Sequence, residues 1–445
     1  MTAKKIFLVS LGCPKNLVDS EMLLSAAVEE GWAISRDMGE ADLLIVNTCG
    51  FIREARLESL RCLRECLRAR EARGRRVVVA LAGCMAEIPS SQLERILPEV
   101  DHVIKVGEID GFREILGSGG SAGRGRRWRR ALFPGSGSPR LLTGYGHSTY
   151  VKIGDGCSRG CAFCLIPSIR GKGRSRRPGG VIEEIRQLAA AGVKEIVLVS
   201  QDTTSYGWDL GGRQARLTRL LERAAAVPGI EWIRLMYLYP HRSLKSLFSL
   251  MGSLPKIVPY IDLPVQHCSN RMLRIMRRGH DRKLLEELIA DARRKIPGLA
   301  LRTTLLVGHP GETEGDFLEL LRFMQRHRFE RIGIMKYSDE RGTGAFALGG
   351  KVTGRDIRSR YRRAVDAASR ILEEHYERLV GRELGVMLDA PRGRGAGWTG
   401  RLPTQAPEID GSVILRAAGG SARSGAIVRV RITGHRGTDL SARLP

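Results

Sequence analysis

Three cysteines at nearly equal intervals constrain this chain more than any other feature. Cys13, Cys49 and Cys84 stand 36 and 35 residues apart, and each closes a short apolar run: VSLGC, IVNTC and ALAGC. Between the runs lie stretches with helical periodicity, near Ser20 to Glu30 and from Glu54 to Arg73. A strand followed by a helix, repeated, builds a parallel sheet, and in such a sheet all strands end on the same edge. Three thiols distant in sequence can therefore meet on one rim. Buried cysteines acting as small hydrophobes are the plain alternative, but recurrence at equivalent ends of three units argues for a ligand set.

A second alternation begins near Tyr150 with TYVKIG, KEIVLVS, EWIRLMY, YIDLPV, LRTTLLVG and RIGIMKY. Six strand units make a partial parallel barrel, whose functional groups belong at the strands' C-terminal ends. Directly after the first unit, GDGCSRGCAFC carries Cys157, Cys161 and Cys164 as C-x-x-x-C-x-x-C. Gly154, Gly156 and Gly160 let that loop wrap, so three thiolates can reach three irons of one cubic cluster. The next cysteine, Cys268, is 104 positions beyond Cys164. One iron is then left open to a small molecule, whereas a zinc knuckle needs a fourth Cys or His nearby. Cys62 and Cys66, at i and i+4 on one predicted helix face, read as packing residues. Cys268, after His267 near the end of the fourth barrel strand, reads as a buried spectator ahead of the alternative that it approaches the cofactor.

These patterns divide the chain. Residues 1–116 form the first strand-and-helix domain, and 117–140, rich in Gly, Ser and Arg and without an acid, form a linker. Residues 141–379 form the barrel domain, ending in a long charged helical segment, Asp356 to Arg378. Residues 380–445 change character: GVMLDA, GSVILRA and AIVRVRITG between Gly and Pro turns read as a small all-β barrel.

The longest apolar stretches, such as Val77 to Ala86, fall short of the roughly 18 residues a membrane span needs. Lys4 and Lys5 before Ile6 to Leu11 imitate a secretion signal, but Pro14, Lys15 and Asp19 interrupt it. A cytoplasmic protein is expected, in which nine cysteines favour metal or redox chemistry over disulfides. The net charge of +25 suits a polyanionic partner such as RNA or a ribosome without identifying a substrate.

At these residues the sequence resembles the radical-SAM methylthiotransferases, nearly end to end apart from the linker. LGCPKN, NTCG and AGC are similar to that family's amino-terminal cluster domain, residues 157–164 to its radical-generating loop, and the tail to its TRAM domain. SLGCPKNLVDSE at Ser10 to Glu21, CLIPSIRGKGRSR at Cys164 to Arg176 and APEIDG at Ala406 to Gly411 resemble the RimO-type branch, which modifies an aspartate of ribosomal protein S-12. The MiaB-type branch, which modifies a tRNA adenosine, typically has Gln-Met in place of Pro14 and Lys15.

The resemblance implies methylthiolation of an aspartate β-carbon by radical chemistry, with no acid or base assigned. It implies two 4Fe-4S clusters, on Cys13/Cys49/Cys84 and on Cys157/Cys161/Cys164, and S-adenosylmethionine (SAM) bound by Phe163, Gln201, Asp202, Thr203, Gln266 and Gly308. Its partners would be S-12 or the small ribosomal subunit, a flavodoxin- or ferredoxin-type electron donor, and RNA through basic surface. His309, in VGHPGET, stands where the family usually has an aromatic residue. Two other functions remain open from sequence: a tRNA adenosine methylthiotransferase, which the basic tail suits, and a non-enzymatic iron-sulfur RNA-binding scaffold, which leaves the open iron without a purpose.

Overall fold

The structure is a computed structural model describing residues 3–72, 76–88, 91–118, 132–133, 140–211, 216–393, 397–416 and 422–445. Most of the linker expected over 117–140 lies outside the described residues. The chain divides into two compact units. One comprises residues 1–143, 154–159 and 164–176, and the other 144–153, 160–163 and 177–445.

In the first unit β1 (Lys5–Ser10), β2 (Ala33–Ile34), β3 (Leu43–Thr48), β4 (Val78–Gly83) and β5 (His102–Ile104) form an all-parallel sheet in the order β2-β1-β3-β4-β5. Every residue of β3 and β4 is buried, because helices cover both faces. Successive residues point to opposite faces. Leu43, Ile45, Val78 and Ala80 accordingly pack with Leu23 and Ala27 of helix Pro14–Glu29 and Phe112 of helix Ile109–Gly117. Leu44, Val46, Val79 and Leu81 pack with Leu60, Leu63 and Leu67 of helix Arg53–Glu71. Cys66 is fully buried in that second core, with Cys62 beside it, so both are packing residues.

Beyond β6 (Ser148–Lys152) lies a short antiparallel ribbon in the first unit, β7 (Gly154–Asp155) with β8 (Arg174–Ser175). The second unit is organised by six parallel strands: β6, β9 (Glu195–Val199), β10 (Trp232–Leu235), β11 (Ile257–Asp262), β12 (Ala300–Val307) and β13 (Arg331–Lys336). Their order, β13-β12-β11-β10-β9-β6, follows the sequence and leaves β6 and β13 at the edges, as in the expected partial barrel. The charged helix begins at Gly354, two residues before its sequence estimate, because the Thr353 side chain accepts the Asp356 N–H and caps it.

Then β14 (Glu383–Pro391), β15 (Trp398–Arg401), β16 (Val413–Leu415), β17 (Ile427–Arg436) and β18 (Asp439–Arg443) close a barrel in the order β14-β15-β16-β18-β17. Val386, Leu388, Val413, Leu415, Val430 and Leu440 fill it, with Tyr376 of the preceding helix. Buried charges join this barrel to the six-stranded sheet. Arg401 bridges Asp389 (2.9 Å) and Glu195 (2.6 Å), Arg234 pairs with Glu195 (2.9 Å), and Tyr260 donates to Asp410 (2.5 Å). No helix among the described residues is long and apolar enough to cross a membrane.

Candidate metal centre and cofactor site

In the first unit the strand order reverses between β1 and β3, the position where open parallel sheets leave a crevice for a ligand. Cys13 follows β1, Cys49 follows β3 and Cys84 follows β4, so the three expected ligands leave adjacent strands at one edge. Glycines allow the approach. A Cβ on Gly12 would lie 2.8 Å from Cys49 Cβ, and one on Gly83, at φ +90°, would lie 2.1 Å from Asn47 Oδ1.

Asn16 ties the rim together. Its amide donates to the carbonyls of Leu11 and Thr48, both at 2.9 Å, and its Oδ1 lies 3.3 Å from Cys84 Sγ. Ser59 holds Cys49 by accepting its N–H at 3.1 Å. Cys13 caps helix Pro14–Glu29, where unpaired N–H groups favour an anion. Burial pushes its thiol up, but Lys15, Arg170 and the N–H groups of Asn16 and Lys15 outweigh that and hold it below the ordinary value. Burial raises Cys49 and lifts Cys84 to about 12, and in each the Cys13 charge adds to the rise. Such mutual repulsion is what a cationic cluster core relieves, since metal binding removes the proton. Among the described residues no three His, Cys, Asp or Glu side chains close around a point as they would around one metal ion. A cubane is larger than an ion, and soft sulfur donors fit it.

Arg170 was not anticipated. It ends helix Ile166–Arg170 with its side chain 1 % exposed, pairs with Asp19 (2.8 Å) and Asp155 (3.0 Å), and donates to Asn16 Oδ1 (2.6 Å) and Cys84 Sγ (3.3 Å). The only sequence signal was its place in the quoted CLIPSIRGKGRSR segment.

In the C-x-x-x-C-x-x-C loop each thiol is half-buried and accepts an N–H. Cys157 Sγ takes Arg159 N (3.4 Å), Cys164 Sγ takes Ile166 N (3.5 Å), and Cys161 Sγ takes Nη1 of Arg278 (3.3 Å). Arg278, a second unanticipated residue, also stacks on Tyr239 and donates to Pro264 O. Of the glycines expected to let the loop wrap, Gly156 is required: it sits at φ +76°, and a Cβ there would lie 2.4 Å from Lys172 O. Gly160 has open space around it and imposes no such demand.

In the second unit the expected SAM residues follow the ends of three strands. Gln201, Asp202 and Thr203 follow β9, Gln266 follows β11 and Gly308 follows β12. Thr203 is buried, with its hydroxyl on Met236 O (2.6 Å), a structural bond. Gln266 holds a positive φ of 68°, while its N–H bonds Thr304 O and its carbonyl accepts Leu306 N–H. Gly308, at φ +83°, could not carry a side chain without meeting Ile357, and its N–H donates to Glu312 Oε2 (2.8 Å), which Arg360 also holds (2.6 Å). Phe163 is half-buried among Met272, Met276 and Leu306, edge-on to His309. His309 in turn packs against Tyr337, so its ring joins an aromatic cluster with Phe163 and Tyr337. Burial holds it below the usual imidazole value. Cys268 is buried and its thiol is pushed by burial to about 12, as a spectator's would be.

Three family models match: an uncharacterized protein family, UPF0004, over residues 5–105, the Radical SAM superfamily over 151–324, and the TRAM domain over 380–444. Curated relatives named "Ribosomal protein uS12 methylthiotransferase RimO" match along the whole chain. That of Sorangium cellulosum is 42% identical and covers 100% of this chain and 91% of the relative. That of Geobacter sulfurreducens is 40% identical, covering 98% of each. Among solved structures, the radical SAM methyltransferase TsrM from Kitasatospora setae aligns with a TM-score of 0.55 at 14% identity, over 75% of this chain and 72% of that one. The cobalamin-dependent SAM radical enzyme OxsB aligns with a TM-score of 0.51 at 11% identity, over 84% and 56%. At those identities the structures speak for the fold alone, whereas the full-length relatives decide the family. The chain belongs to the RimO family of radical SAM methylthiotransferases.

Proposed function

We propose that this protein attaches a methylthio group to the β-carbon of an aspartate in ribosomal protein uS12, acting in the cytoplasm. The observation that carries the substrate is the full-length likeness to relatives named for that reaction. Membership in the radical SAM superfamily brings a 4Fe-4S cluster and SAM. Cys157, Cys161 and Cys164 would hold that cluster, and Phe163, Gln201, Asp202, Thr203, Gln266 and Gly308 would bind SAM. The second cluster is our finer reading. Cys13, Cys49 and Cys84 would hold it, supported by their convergence on one sheet edge and by Arg170 and Lys15 nearby.

The first cluster and SAM would supply a carbon radical strong enough to take hydrogen from an unactivated carbon, while the second cluster would present the sulfur and a second SAM its methyl group. This chain's residues contribute position and dryness. Glu312 and Arg360 fix the Gly308 backbone, Asn16 and Ser59 fix the cysteine rim, and buried Met272, Met276 and Leu306 keep water from Phe163. A small flavodoxin- or ferredoxin-type protein would donate the electron. RNA contact through the basic tail, with ten Arg against five acids from Arg382 onward, would orient the protein on the small subunit.

The test is anaerobic reconstitution with iron, sulfide, reductant and SAM, offering uS12, the assembled small subunit or a tRNA anticodon arm. Methylthio addition to an aspartate of uS12, seen by mass spectrometry, is expected. Addition to the tRNA alone would overturn the substrate. Replacing Cys13, Cys49 and Cys84 together is expected to abolish methylthio transfer while 5′-deoxyadenosine is still formed. Undiminished transfer would overturn the second cluster.

A further inference from the structure

Arg170 is more deeply engaged than an ion pair requires. Its side chain is 1 % exposed, and its guanidinium serves four acceptors from three separate stretches of the first unit: Asp19 and Asn16 on helix Pro14–Glu29, Asp155, and Cys84. Two of those acceptors connect it to the two cysteine sets. Asp155 lies two residues before Cys157, and its Oδ1 accepts the Gly156 N–H at 2.9 Å, fixing the backbone that enters the loop. Cys84 closes β4 on the strand-end rim and takes Nη2 at 3.3 Å. Neutralising Asp19 and Asp155 would need only the Nη1 edge. The Nη2 edge is aimed instead at Asn16 and the Cys84 sulfur.

An N–H donor on a cluster thiolate draws charge from the sulfur and stabilises the reduced cluster, and a buried positive charge does the same through a low-dielectric surround. We propose that Arg170 is a positioning residue that raises the reduction potential of the amino-terminal cluster through its hydrogen bond to Cys84, while its bond to Asp155 holds the start of the radical-generating loop. This rests on the reading that Cys13, Cys49 and Cys84 carry a cluster of their own.

The experiment uses the full chain with Cys157→Ala, Cys161→Ala and Cys164→Ala, so that any remaining iron reports only on the strand-end rim. Iron content is measured first, then the midpoint potential by a redox titration followed by electron paramagnetic resonance. A background that retains no iron overturns the two-cluster reading and this proposal with it. In an iron-loaded background, Arg170→Lys keeps the buried charge and therefore the fold, but an ammonium cannot reach both carboxylates, Asn16 and Cys84 at once. Its midpoint is expected to shift to a more negative value. Arg170→Gln, which removes the buried positive charge altogether, is expected to shift it further. Midpoints unchanged in both variants at full iron content would reduce Arg170 to an ion-pair partner of Asp19 and Asp155 and overturn the proposal.

Discussion

At the residue scale, two side chains illustrate what the cysteine rim costs the protein. Asn16 spends its amide on two carbonyls, so Asn16→Ala leaves the Leu11 and Thr48 oxygens without that donor and Arg170 without its shortest contact. Loss of buried hydrogen bonds of this kind is worth roughly 1–3 kcal/mol each. Urea unfolding of the variant is expected to report a loss of that order, together with lowered iron in reconstituted protein. Cys13 shows the electrostatic side. The thiolate is the nucleophile, and its fraction rises as pH approaches the thiol's own pKa from below. In metal-free protein, iodoacetamide is expected to label Cys13 before Cys84, and at a pH below that of free cysteine, because burial holds Cys84 near 12. Peptide mass spectrometry across a pH series would check this, and equal labelling of the two would contradict it.

At the scale of elements, the strand ends do most of the work, and they were unevenly legible. The apolar runs identified β1, β3 and β4 and all six strands of the second sheet, because buried parallel strands are continuous in Val, Ile and Leu. Helix Pro14–Glu29 begins six residues before its sequence estimate, since Cys13 caps it and Pro14 suits the first turn, signals that polar Lys15 and Asn16 conceal in the periodicity. β5, with three residues, and β15 and β18, which carry Thr, Gly, Ser and Arg, were missed because pairing with neighbours rather than composition makes them strands. The junction between the terminal barrel and the six-stranded sheet was invisible, since its charges come from separate elements. Burial pushes Glu195 up, yet Arg401 and Arg234 outweigh it and hold it at about 2 against an ordinary 4.5. Its stabilising share is thus complete above the ordinary value and disappears as pH falls towards about 2. Arg401→Met takes the guanidinium from Asp389, which keeps His147, and leaves Glu195 to Arg234, a loss below the about 3–5 kcal/mol of a buried pair broken outright. Limited proteolysis is expected to release the terminal barrel from that variant at neutral pH, and from the parent only in acid.

For the whole molecule, the family was legible because its chemistry demands cysteines at fixed places, and three separate segments carried the pattern. The residues expected to bind SAM were less so, since polar strand ends also cap loops, as the Thr203 hydroxyl bonded to Met236 O illustrates. Arg170 and Arg278 escaped notice because one Arg among 73 basic residues carries no label until folding puts it on a sulfur. The same abundance makes the charge of +25 a weak guide to a partner but a strong physical lever on one. On β17, Arg429, Arg431 and Arg436 are exposed, and Arg431 and Arg429 share Glu383. Arg436 has no part in that pairing, and Arg429 is the more exposed of the two that do, at 75 % against 46 %, so both can displace counterions from a phosphate backbone. Each phosphate neutralised adds about 0.7–0.9 to the slope of log affinity against log salt. Binding to the assembled small subunit should therefore weaken steeply with salt, and Arg429→Gln with Arg436→Gln should lower that slope by roughly one to two. Binding to free uS12, which offers no RNA, should keep its slope in the same variant. A subunit slope that the two substitutions leave untouched would mean that the tail's charge serves solubility and that recognition lies with the protein substrate alone.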